Sequence, residues 1–145
     1  MQPQLQLADY LGPIFGALIF IAIMACIAEP KRRTINALLV VGASGVYMSG
    51  GGFGSWELLY AMVAGPVLGY FALFSYYAIG IGWLMHASWD VLHHLYGHAI
   101  WPFMATSSFG CMLFDTFIAV WFLAGAPPHA ARVQERQPVS QAGGV

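Results

Sequence analysis

From Leu11 to Ala28 the chain runs without one charged side chain. At about 1.5 Å of rise per helical residue, that stretch comes close to the ~30 Å thickness of a bilayer's hydrocarbon core. A secretory leader needs a basic start and a shorter apolar core, whereas Met1 to Tyr10 carries no Lys or Arg. The expectation is therefore a retained membrane helix. Charged residues make up only 8% of the whole chain, against about 25% in a soluble domain, and 59% of it is apolar. That balance excludes an ordinary soluble globule and a disordered chain. A net charge of −1 offers no basic surface for nucleic acid. Two cysteines, Cys26 and Cys111, cannot build a disulfide scaffold, and their expected depths at opposite ends of the bundle forbid a bond between them.

Four more apolar stretches follow. Glu29-Pro30-Lys31-Arg32-Arg33 ends the first helix, because proline cannot continue it and the charges cannot enter lipid. Ile35 to Met48 is a second run, broken by Ser49-Gly50-Gly51-Gly52-Phe53-Gly54, a stretch suited to tight turns. Trp56 to Ile100 is too long for one crossing and fits two, parted around Phe74-Ser75-Tyr76-Tyr77. Ser108 to Leu123 makes a fifth. The fold expected is an all-α membrane bundle with helices at about 11–28, 35–49, 56–73, 78–97 and 108–124. Together they form one domain over 1–125, with a polar tail over 126–145.

Every Lys and Arg lies either between helices one and two (Lys31, Arg32, Arg33) or after helix five (Arg132, Arg136). With five crossings the two segments fall on one side, which the positive-inside rule makes cytoplasmic. The amino terminus, the glycine loop and the loop around His98 then face outward. A four- or six-helix count would divide the basic residues between the two sides. The expected location is a bacterial inner membrane.

His86, Asp90, His93 and His94 fall within an arc of about 100° on the fourth helix. Asp115, one heptad from Ser108 on the fifth, lies at a similar depth of roughly 10 Å below the outer surface, and Glu57 opens the third helix at that surface. Ionisable groups inside a bilayer face the bundle interior and find partners. Imidazole and carboxylate together suit zinc or iron. His86, Asp90, His93 and Asp115 are the candidate ligands for one divalent ion, with Glu57 or His94 as general base. The plainer reading makes Asp90, Asp115 and His86 a hydrogen-bonded pin that sets helix register. His98 is better read as interfacial, alongside Tyr96 and Trp101, and His129 as solvated. The five tryptophans are read as packing and interface anchors.

The runs Gly51-Gly52-Phe53-Gly54-Ser55-Trp56-Glu57, Ile79 to His86, Trp89 to Gly97 and Ser107 to Asp115 carry a resemblance. Between about Gly50 and Trp121 the chain resembles an uncharacterised family of small multi-helix membrane proteins, domain of unknown function six thousand and ten. The resemblance implies a multi-helix membrane fold and brings no activity with it. A weaker similarity is to membrane-embedded metal hydrolases such as the alkaline ceramidases. This chain departs from them in helix number and motif order. Di-iron desaturases need about eight histidines, and five are present.

Three functions from different classes compete. The first is a metal-dependent intramembrane enzyme, hydrolase-like, acting on a lipid or amphiphile with a His/Asp site in the outer half of the bilayer. The second is an accessory or assembly subunit, bound to a membrane-protein partner or to further copies of itself. Transport ranks last, because the inner halves of the helices offer only Asn36, Ser44, Ser75 and tyrosines along any path. Membrane lipids are the expected surroundings, and no nucleic acid partner is expected.

Overall fold

The computed structural model describes residues 3–48 and 50–128. Among these the chain is all-helical, with five helical segments and no strand. They are α1 (Leu7–Ala25), α2 (Lys31–Ser44), α3 (55–72), α4 (Tyr76–Tyr96) and α5 (Ser107–Leu123). Ser49 and the tail from 129 onward, with His129, Arg132 and Arg136, lie outside the described residues.

Local chemistry explains where each segment starts. At the head of α1, the Gln6 N–H donates to Asp9 Oδ2 at 2.7 Å, closing a capping box that starts the helix four residues before the apolar run. Pro13 sits inside α1 without ending it. The basic residues expected in a loop instead form the first turn of α2. There Arg32 and Arg33 both reach back to Glu29, which offsets part of their charge. Arg32 is buried, and its Nε donates to the Tyr76 hydroxyl. α3 is α-helical over Ser55–Leu59, π-helical over Tyr60–Ala64 and α-helical again over Gly65–Ala72. Pro66 follows that wide turn. It has no N–H for the carbonyl one turn back, and the π turn absorbs the mismatch. The break expected near Phe74 falls at Ser75, whose hydroxyl accepts the Ala78 N–H and caps α4.

α4 is central, packing on α5, α3 and α2, while α1 lies against α5. Small residues allow the close crossings. A Cβ on Gly82 would stand 2.8 Å from Val40 Cγ1 of α2, and one on Gly80 would stand 2.7 Å from Leu123 Cγ of α5. The apolar core is small, built around Ile79, Trp83, Ile118 and Phe122. It shares the interior with Arg32, Asn36, Glu57, His86, Asp90, His93 and Asp115. Large apolar side chains stand outward on all five segments, among them Phe15, Leu38, Met62, Phe71, Tyr77 and Val120. Among the described residues one helix, α1, is long and apolar enough to cross a membrane. Polar groups on α4 and the shortness of α2 and α5 keep the others below that measure. Ala126, expected to begin a solvated tail, is fully buried against the core.

Replacing Gly82 with Val should overpack the α2–α4 crossing and cost about 1–3 kcal/mol. Gly12→Ala adds a methyl that meets nothing within 4 Å and should be neutral or stabilising by up to about 1 kcal/mol. Thermal unfolding of the two variants in detergent reads the contrast.

Candidate metal centre

His86 and Asp90 stand one turn apart on α4, and Asp115 reaches them from α5. One donor atom from each lies within 4.8 Å of the others, so the three could hold a metal ion. His86 Nδ1 is 2.7 Å from Asp115 Oδ2 and 3.3 Å from Asp90 Oδ2. Its other nitrogen, Nε2, is 2.8 Å from the carbonyl oxygen of Ala43 in α2. A carbonyl only accepts, so Nε2 carries the hydrogen and Nδ1 is turned toward both carboxylates. Nitrogen and carboxylates then share either a proton or a metal ion. A ligating histidine whose far N–H is held by a backbone carbonyl is the usual arrangement around a metal. Asp90 Oδ2 has no hydrogen-bond partner although Asp90 is wholly buried, and an orphaned buried oxygen is the kind of atom a cation satisfies. One imidazole with two carboxylates is a donor set suited to zinc or iron.

Tyr47, in the turns after α2, was not singled out by the sequence. It is buried, and its hydroxyl lies 2.7 Å from Asp90 Oδ1 and 2.9 Å from Ser108 Oγ. It thereby sets the plane of the Asp90 carboxylate, leaving Oδ2 toward His86. Nothing in an apolar run marks one tyrosine as special, since its role depends on where α2 ends relative to α4. The π turn of α3 brings the Tyr60 ring beside the group as well, 6.3 Å from the His86 ring.

His93 and Glu57 are also brought together, but apart from the three. His93 Nδ1 donates to the Trp89 carbonyl at 2.8 Å, and Nε2 lies 2.9 Å from Glu57 Oε1, which also accepts the Phe53 N–H at 3.1 Å. The expectation that His93 ligates beside His86 and Asp90 meets this pairing instead: both its nitrogens are engaged within the protein. His86, Asp90 and His93 are all buried in the interior. Rotation about the side chain and the arrival of α3 decide which neighbour each histidine meets. Tyr47 joins the two groups, its ring stacked on that of His93 with centroids 3.5 Å apart. The glycine loop closes over this pair: a Cβ on Gly51 would collide with both Glu57 Oε1 and His93 Nε2. His98 pins the loop, its N–H donating to the Gly51 carbonyl at 2.8 Å and its Nδ1 to that of Gly50 at 3.0 Å. His94 stands away from both groups, against Phe109, and lines a cavity of about 590 Å³ with Gly50, His93, Gly97 and His98. Cys26 and Cys111 are both free.

What these features define is a small all-helical protein with a buried histidine–carboxylate centre held between three helices. The chain belongs to a family of unknown function, DUF6010, whose model matches residues 8–128. No curated protein matches it, and no solved structure does.

Tyr47→Phe removes the hydroxyl shared by Asp90 and Ser108 and leaves a buried carboxylate oxygen unpartnered, which should cost about 1–3 kcal/mol in thermal or denaturant unfolding. Gly51→Ala should part Glu57 from His93. The change would appear as altered chemical shifts of the His93 ring nitrogens, larger than any shift relayed through Tyr47 to those of His86.

Proposed function

We propose that the protein is an integral membrane enzyme, hydrolase-like, with one divalent ion held by His86, Asp90 and Asp115. The observation that carries this reading is the buried, unpartnered Asp90 Oδ2 lying 3.3 Å from a His86 nitrogen already turned toward a second carboxylate. Two buried carboxylates beside one imidazole need a compensating cation. A bound zinc or iron ion supplies Lewis acidity and makes water a nucleophile near neutral pH. The chain's own residues do the rest. Ala43 fixes the ring of His86, Tyr47 fixes the plane of Asp90, and Glu57 is paired with His93 one stacked ring away.

The membrane setting rests on an inverted polarity, with ionisable groups inside and large apolar side chains outside on every segment. On this reading all five segments cross, with α1 outermost. The amino terminus and the His98 loop lie outside, the carboxyl terminus lies in the cytoplasm, and a bacterial inner membrane is the setting. The substrate is a lipid or amphiphile taken from the outer leaflet. A second reading, an accessory subunit pinned by the same cluster, is favoured by its burial, since neither Asp90 nor His86 is open to solvent.

Elemental analysis of protein purified without chelator should find about one equivalent of zinc or iron. His86→Ala and Asp90→Asn should lose it. Asp90→Asn should stay folded, because an amide oxygen can still accept from Tyr47 and the amide nitrogen can donate to His86. A metal-free parent protein would favour the pin. Reporter fusions at Val145 and at His98 should label opposite sides of the membrane.

A further inference from the structure

Between α1 and α5 runs a groove of about 600 Å³, within the range of small-ligand sites. Gly12, Gly16 and Phe114 line it; a Cβ on Gly12 would meet nothing within 4 Å, while Gly16 sits close to Phe114 and Gly110 close to Pro13, where the two helices touch. Its chemistry changes along its length. The deep part is apolar. The shallow end carries Asp9 and Thr106, joined by a hydrogen bond of 2.7 Å from Thr106 Oγ1 to Asp9 Oδ1, with exposed Trp101 at the rim. Aromatic side chains of this kind mark the boundary between lipid and water. The groove is flanked by the one helix long and apolar enough to cross a membrane, most of whose surface is outward.

Cys111 lines the groove and is half-buried. On α5 it stands about one turn from Ser108 on one side and one turn from Asp115 on the other, so the groove lies on the stretch of α5 that also carries the centre. An apolar slot about 10 Å long, polar at its mouth and open toward the surroundings of α1, has the profile of a lipid standing in its own leaflet.

We propose that this groove seats one acyl chain of a membrane lipid, laying it beside the histidine–carboxylate centre with its head at Asp9 and Thr106. This gives the lipid substrate of the reading above a place, and its substrate assignment rests on that reading. The binding itself does not depend on a metal.

The test uses the full chain carrying Cys26→Ala, so that Cys111 is the remaining thiol, held in digitonin, which has no acyl chain. The probe is monoolein. Saturating monoolein should slow the labelling of Cys111 by N-ethylmaleimide at least fivefold, and native mass spectrometry should show one bound molecule. Gly12 lines the groove and a Cβ there meets nothing within 4 Å, so Gly12→Phe is the variant chosen to fill it. That variant should lose both the protection and the bound molecule. If Cys111 proves unreactive from the start, the mass reading alone decides. Absence of a bound monoolein in the parent, or equal binding by Gly12→Phe, would overturn the proposal. So would disulfide-linked dimers through Cys111 that monoolein does not prevent, since the groove would then belong to a second copy. Metal content is measured on the same samples. Lost lipid binding with metal present defeats this proposal alone, and bound lipid without metal defeats the metal reading alone.

Discussion

The His86 ring is the contact on which the rest of the interior depends. It is held from α2 through the Ala43 carbonyl and from α5 through Asp115, while its own helix supplies Asp90. Three helices are thus tied at one imidazole. Buried carboxylates so close together cannot both stay charged without a cation among them, whether an imidazolium or a metal ion. That requirement, rather than apolar packing, gives the centre of this bundle its specificity. The apolar core is small and lies toward the other end.

The second group repeats the pattern with different partners. His93 is held by the carbonyl of its own helix and turned toward Glu57, which α3 delivers only because the glycine loop leaves room above it. Tyr47 touches both groups, by hydroxyl on one side and ring face on the other. A change in one group is therefore expected to be felt in the other, since buried polar networks are coupled through shared partners. The glycines at the α2–α4 and α4–α5 crossings serve the same end, letting helices approach closely enough for short side chains to meet.

Much of this was legible in the residues. The apolar runs located all five helical segments to within a few positions, because a run's ends are marked by local chemistry such as Ser75 as a cap and the glycines after Met48. The i, i+4 spacing of His86 and Asp90 put them on one face, and the heptad from Ser108 to Asp115 did the same on α5. Helical periodicity is a property of sequence alone. Less legible were Lys31 to Arg33, read as loop because charge disfavours lipid, yet helical, with Glu29 paired to both Arg32 and Arg33.

What the sequence by itself determined is the inventory: which helices, which faces, and which polar side chains must seek partners away from an apolar exterior. What only the tertiary structure decided is who partners whom. His86 and His93 share a helical face and a chemistry, and no periodicity distinguishes them. The ending of α2, the π turn of α3 and the packing of α5 bring Ala43 and Asp115 to one, and Glu57 and the Tyr47 ring to the other. Those encounters join residues 29 to 46 positions apart in the chain. Local propensity acts over a few residues, so pairings at that range are set by the helices packed together.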